Sequence, residues 1–288
     1  MVSTTSTVRP VSAATAVVDE AVQARPAPAL RPYAAWYSGY RQVGVPPMTH
    51  RGLPSPYLTL ILTLDEPLTL AAHPDPAQRP GEYRTLLGGL HTAPALIIHR
   101  GCQSGVQVAL SPLGARTLLG LPAGELAGAD YPAEEVLGRW AAEGQERLRA
   151  APDWPSRFRV VDRWLLQRAA EAAAPPPEVV RAWQLLLASG GRAGAAELAA
   201  EVGWSGRHLA TRFRTEIGLA PKAAARVIRF DRARRLLGAT AMPLADLAAD
   251  CGYFDQAHLA REFRALAGCP PSRWLAEEGS TLRDPTAG

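Results

Sequence analysis

Side chains able to read the edges of bases stand at two places in the last hundred residues. On a helix drawn at about 100° per residue, Arg207, Thr211 and Arg214 share one face, with Arg212 and His208 on its flank. Fifty residues further on, Ala257, Arg261 and Arg264 share a face, His258 flanks it and Gln256 stands at the helix start. Arginine can bond bidentately to guanine O6 and N7, glutamine to adenine N6 and N7, and a small residue can touch the thymine methyl. That chemistry is recognition, with no bond made or broken, so neither a catalytic residue nor a cofactor is expected. The front half offers less. His50, His73, His91 and His99 have no carboxylate or cysteine at ligand spacing, and no metal site is expected from them. Cys102 reads as an inert small residue rather than a redox sensor. Tyr33, Trp36, Tyr37 and Tyr40 suit strand packing and a ligand pocket equally.

The elements that must carry the two reading faces form an internal repeat. Leu198-Ala199-Ala200-Glu201-Val202-Gly203 matches Leu247-Ala248-Ala249-Asp250-Cys251-Gly252 at an offset of 49. Beyond the glycine the offset is 50: His208-Leu209-Ala210 pairs with His258-Leu259-Ala260, Phe213-Arg214 with Phe263-Arg264, Gly218 with Gly268, Pro221 with Pro271. One residue is therefore inserted in the second turn. Each unit reads as helix, glycine turn, helix. Gly203 and Gly252 supply the left-handed residue that closes the first helix, and Ser205 and Asp255 cap the second. Leu209, Phe213 and Ile217, and in the other unit Leu259, Phe263 and Leu266, form the buried stripes. Trp204 and Tyr253 hold equivalent turn positions and suit packing better than stacking on bases. Between the units, Pro221 to Leu237 reads as a long helix bearing Arg226, Arg229, Arg232, Arg234 and Arg235, with Val227, Phe230, Ala233 and Leu237 expected to face both units. Such a spacer would set two recognition helices in successive major-groove segments, about 34 Å apart.

The chain around this repeat is 288 residues long, room for two domains. Its net charge is only +4, and residues 193–278 carry 12 basic against 10 acidic residues, so charge alone does not announce a nucleic-acid partner. Lys222 is the only lysine; arginine replaces it everywhere, and a solvated arginine-rich face is the plain alternative to a reading face. Three cysteines without a CxxC, no membrane-length apolar run and no secretory leader lead to the expectation of a reduced, cytoplasmic protein. Residues 1–30, rich in Ser, Thr, Ala and Pro, read as a disordered tail. Strands are expected at 57–64, 95–98 and 106–110, an exposed loop at 74–89, and helices at 113–119, 133–149 and 156–172. The triple proline at 175–177 marks the boundary. The expectation is an α+β chain: a small β-rich domain with following helices at 31–174, an all-α domain of two helix-turn-helix units joined by a long helix at 178–278, and a disordered tail at 279–288.

The stretch from Ala193 to Glu278 resembles the DNA-binding domain of the AraC family of transcription regulators. The resemblance rests on Gly-Trp-Ser-Gly-Arg-His-Leu at 203–209, Arg229-Phe230 with Ala233 and Leu236-Leu237, Gly252-Tyr253 with Asp255-Gln256-Ala257-His258-Leu259, and Phe263-Arg264, Gly268, Pro270-Pro271 and Trp274. It implies a sequence-specific regulator of transcription whose partner is double-stranded DNA. By position it implies base contacts from Arg207, Ala210 and Thr211 in the first unit and Gln256, Ala257, His258 and Arg261 in the second. Ala210 and Ala257 depart from the polar reader often found there and offer only apolar contact. The front half resembles a domain of unknown role found before such pairs in many actinobacterial regulators, through Val106-Gln107-Val108-Ala109-Leu110-Ser111-Pro112-Leu113-Gly114-Ala115 and Leu118-Leu119-Gly120-Leu121-Pro122-Ala123 with Glu125-Leu126. That implies effector sensing, homodimerisation or both, with RNA polymerase a further candidate partner. Two competing readings are a ligand-binding sensor in which the repeat is secondary, and a DNA-repair methyltransferase with a similar DNA-binding pair. The second needs a zinc-bound cysteine cluster near the start, where Cys102 is the only cysteine before residue 188.

Overall fold

A computed structural model describes residues 17–169, 174–240 and 242–278. The front half is built on two antiparallel sheets. The first has six strands: β1 (Val18–Ala24), β2 (Ala34–Val43), β4 (Leu58–Thr63), β7 (Thr85–Gly88), β9 (Cys102–Leu110) and β10 (Asp130–Pro132), in the order β1-β2-β9-β4-β7-β10. The second has four: β3 (Met48–Gly52), β5 (Leu68–Ala72), β6 (Gly81–Tyr83) and β8 (Ala95–His99), in the order β3-β8-β5-β6.

Strand β4 shows why its sequence is one apolar run. Leu58, Leu60 and Leu62 face the helices, and Ile61 faces the second sheet beside Leu70 and Ile97. A strand buried on both faces needs no polar alternation. Leu60 pairs with Val108, which pairs in turn with Tyr37, so register aligns one apolar row across β4, β9 and β2. The helices on that face are α1 (Ala115–Leu119), α2 (Ala133–Leu137), α3 (Arg139–Ala150) and α4 (Trp154–Leu166), which contribute Leu118, Leu148, Phe158 and Trp164 to the same core.

Three expectations change here. Part of the expected N-terminal tail is strand β1, paired with β2 from Val18↔Val43 to Ala24↔Tyr37; residues 1–16 and 279–288, where the rest of the expected tails falls, lie outside the described residues. As an edge strand with mostly exposed side chains, β1 is held by main-chain bonds that leave no hydrophobic period. The expected exposed loop at 74–89 contains β6 and the fully buried β7. The expected helix at 133–149 is two helices, because Gly138 adopts φ +60° between α2 and α3.

The back half is helical: α5 (Pro177–Ala188), α6 (Ala195–Glu201), α7 (Gly206–Ile217), α8 (Pro221–Ala239), α9 (Leu244–Asp250), α10 (Gln256–Ala267) and α11 (Pro271–Glu278). Two cores divide them. Trp183 of α5, Leu198 of α6 and Leu209, Phe213 and Ile217 of α7 pack on Ala224, Ala225 and Ile228 of α8. Leu247 of α9, Leu259, Phe263 and Leu266 of α10 and Trp274 of α11 pack on Val227, Phe230, Ala233 and Leu237 of α8. The four apolar residues expected to serve both units thus serve only the second; Ala224, Ala225 and Ile228 serve the first. No helix among the described residues is long and apolar enough to cross a membrane.

Candidate nucleic-acid interface

Each recognition helix is defined at both ends by its own sequence. The Ser205 hydroxyl accepts from the His208 backbone N–H at 3.2 Å, and the Asp255 carboxylate from that of His258 at 2.6 Å. The preceding turns place Gly203 and Gly252 at φ +70° and +76°, which a Cβ would oppose. At the far ends the Gly218 and Gly268 N–H groups donate to the carbonyls of Arg214 and Arg264, both at 2.9 Å. Helices α7 and α10 come out at the same length, 12 residues each.

With Leu209, Phe213 and Ile217 buried, α7 turns Arg207, Thr211, Arg212 and Arg214 to solvent, while Ala210 is half-buried at the edge of the stripe. Helix α10 likewise exposes Gln256, Ala257, Arg261 and Arg264. The Thr211 hydroxyl donates back to the Arg207 carbonyl at 3.1 Å, which leaves its methyl and oxygen lone pairs facing out. The histidines are turned otherwise than simple flank positions suggest. His258 is half-buried, lies edge-on to Tyr253 at 5.4 Å, and accepts the Phe254 N–H at Nδ1, 3.3 Å away. His208 packs edge-on to Trp204 at 4.5 Å. Both rings brace their turns.

Pairing separates two kinds of arginine. On α8, Arg226 forms a bidentate pair with Glu262 at 2.6 and 3.1 Å. Arg229 donates to the Gly191 carbonyl at 2.5 Å and lies over the Tyr253 ring. Arg234 and Arg235 both pair with the buried Asp231. These side chains join the two units to each other or close α8 on itself. Arg207, Arg212, Arg214, Arg261 and Arg264 make no ion pair or hydrogen bond through their guanidinium groups among the described residues. Charge without an internal partner is what a phosphate or base edge requires.

Phe254, absent from the sequence-based set, shares this surface: it precedes Asp255 and is almost fully exposed. The signal for it was the change of offset between repeats, which shows that a residue is inserted without showing where its ring goes. The end of α7 meets the front domain. Arg116 of α1 grips Glu216 through two bonds of 2.7 and 2.9 Å, and this hydrogen-bonded carboxylate raises the guanidinium's pKa. A Cβ on Gly124 would lie 2.4 Å from the Thr215 carbonyl oxygen and 2.6 Å from that of Arg214, so the two backbones approach as only glycine allows. The second unit touches the same domain through Arg51 and Glu277, 2.6 Å apart. The front-domain histidines are held locally, His73 by Asp130 at 2.8 Å and His91 by the Ala93 carbonyl. Among the described residues no group of three His, Cys, Asp or Glu could hold a metal ion.

Residues 198–277 match the family model of a helix-turn-helix domain. A probable AraC family transcriptional regulator from Rhodopseudomonas palustris is 30% identical over 35% of this chain and 96% of its own, with a TM-score of 0.32. A transcriptional regulator with an AraC-type DNA-binding domain from Chromobacterium violaceum is 24% identical over 37% of this chain and 95% of its own, with a TM-score of 0.34. ToxT from Vibrio cholerae is 12% identical over 84% of this chain and 97% of its own, with a TM-score of 0.50, a likeness of fold that spans both halves. No curated protein matches the sequence. With its duplicated helix-turn-helix units and this identity along nearly the whole of a solved relative, the chain belongs to the AraC family and is a DNA-binding regulator of transcription.

Proposed function

We propose that α7 and α10 read two successive major-groove segments of duplex DNA. Arg207, Thr211, Arg214, Gln256, Ala257 and Arg261 meet base edges, Arg212, Arg264 and His258 border them, and Ala210 offers apolar contact. The observation that carries this is the contrast in pairing: Arg226, Arg229, Arg234 and Arg235 of α8 are consumed inside the domain, with Arg232 the exception, while the arginines of the reading faces have no internal partner among the described residues. Helix α8, 19 residues and so about 28 Å long, is a spacer of the right order for grooves about 34 Å apart. The reading contains no chemical step.

Selection of bound duplexes from a random pool by the whole chain tests it. Arg207→Ala and Arg261→Ala should each weaken binding by about 1–3 kcal/mol and relax preference at one position of the selected motif. Weakening that falls equally on all sequences would make these arginines phosphate contacts and overturn their assignment to bases. Affinity should also fall steeply with salt as counterions are released, and a two-fold symmetric motif would add a homodimer.

The front domain suits control of α7. A shallow, open depression of about 380 Å³ lies on the seam, lined by Leu90, His91, Thr92, Ala127, Gly218 and Leu219, and is the place where a small-molecule effector would touch both the front domain and the end of α7. A thermal-shift screen of the whole chain against a metabolite library tests this, with Thr92→Trp as the filled control. Hits retained by the filled chain would place any effector elsewhere.

A further inference from the structure

At the front of α10 one side chain has no explanation inside the molecule. Phe254 is 92% exposed, well beyond the next large apolar residue, Val17 at 68%. An apolar residue just before a helix cap ordinarily folds down onto the fourth helical residue. The first unit obeys: Trp204 precedes the Ser205 cap and packs into the cluster that holds Leu209. In the second unit the inserted residue changes the arrangement. Tyr253 takes over the packing, buried with Leu259 and edge-on to His258, and Phe254 is left between it and the Asp255 cap.

The backbone that carries the ring is anchored. The Phe254 N–H donates to His258 Nδ1, and the next residue caps α10. The backbone of Phe254 is therefore held two residues ahead of Gln256, and its ring projects into solvent beside the surface where α10 exposes Gln256, Ala257 and Arg261.

We propose that Phe254 is a specificity-determining contact to duplex DNA, its ring packed on a thymine C5-methyl beside the base pair that Gln256 reaches. This rests on the reading of α10 as a recognition helix. The thymine methyl is the apolar feature of the major-groove floor, and an exposed ring carried on anchored backbone one residue ahead of the helix cap is within reach of it. The first unit has no counterpart, since the residue before its cap, Trp204, packs into the cluster that holds Leu209. The two half-sites thus differ, and only the one read by α10 demands thymine at this place.

The test uses the whole chain and the duplex it selects from a random pool, with Phe254→Ser, Phe254→Leu and Arg261→Ala beside the wild type. Replacing the relevant thymine by deoxyuridine should cost the wild type on the order of fourfold in affinity, the worth of burying one methyl group. Phe254→Ser should bind thymine and uracil duplexes alike and select a motif relaxed at that position; Phe254→Leu should keep part of the preference. Thermal unfolding of the serine variant should match wild type, because the ring packs on nothing. If Phe254→Ser keeps the motif and the affinity while Arg261→Ala alters its own position, the ring makes no contact and the proposal fails alone. Uniform weakening without sensitivity to uracil would put the ring on the sugar–phosphate backbone and also overturn it. If neither variant alters the motif, the reading of α10 itself fails.

Discussion

Removing the Arg116 guanidinium should loosen the front domain from the first recognition helix by a measurable amount. Its partner Glu216 is 2% exposed and receives both guanidinium bonds, at 2.7 and 2.9 Å. Glu216 also stands in the last turn of α7, where the helix dipole disfavours a negative charge, so the guanidinium offsets that as well. Breaking a buried pair by deleting one partner costs about 3–5 kcal/mol. The Arg116 side chain is 32% exposed, and water entering the gap would keep the cost near the lower end, about 3 kcal/mol. Urea unfolding followed by tryptophan fluorescence should show Arg116→Ala losing about 1 M in midpoint, given a slope of about 3 kcal/mol per M. The double variant Arg116→Leu with Glu216→Leu removes the charge together with its partner and should recover most of the loss. A midpoint within about 0.3 M of wild type for Arg116→Ala, or a double variant as unstable as the single one, would refute the claim that this seam rests on a desolvated carboxylate.

Gly124→Ala forces a methyl group against the Thr215 and Arg214 carbonyls, and should cost about 1–3 kcal/mol in the same unfolding assay. Asp255→Ala removes the cap on the His258 N–H and should cost about 1 kcal/mol, read by thermal melting with the α10 amides exchanging faster. Gly206→Ala, at the first position of α7 with open space around it, should add about 0.5–1 kcal/mol of stability in the same melt. Burial, and after it the neighbouring His99, push the His50 pKa from the ordinary 6.5 down to about 4. The unfolded chain therefore takes up that proton before the folded chain does. Stability should fall as pH drops from about 6.5 to about 4, by up to about 3 kcal/mol, and urea midpoints across that range should show a shallower fall for His50→Gln.

In the front domain, legibility follows burial. The run through β4 was plain because both its faces are covered; β8 was found from a similar apolar run and β9 from the alternation at 106–110. Strand β1 was hidden because an edge strand with exposed side chains depends on main-chain pairing to Tyr37 through Val43, which leaves no mark in residue type. Strand β7 was hidden in a segment of Asp, Pro, Gly and Arg that reads as a turn, although Thr85 to Gly88 are all buried.

In the DNA-binding half, the chain by itself determined the two units, their caps, their buried stripes and the faces that Arg207, Thr211, Gln256 and Arg261 occupy. Those features repeat within one or two helical turns, and helical geometry converts such spacing directly into direction. Tertiary structure decided which charges remain free and what the turns hold. Arg226 is tied to Glu262 across 36 residues, Arg229 to Gly191 across 38, and Arg116 to Glu216 across 100. His258 braces its own turn, and Phe254 stands clear because Tyr253 has taken the packing place. An arginine's role depends on whether a carboxylate or carbonyl comes within about 3 Å of it. Between distant segments that proximity is set by how the helices and sheets pack, and no local spacing encodes it.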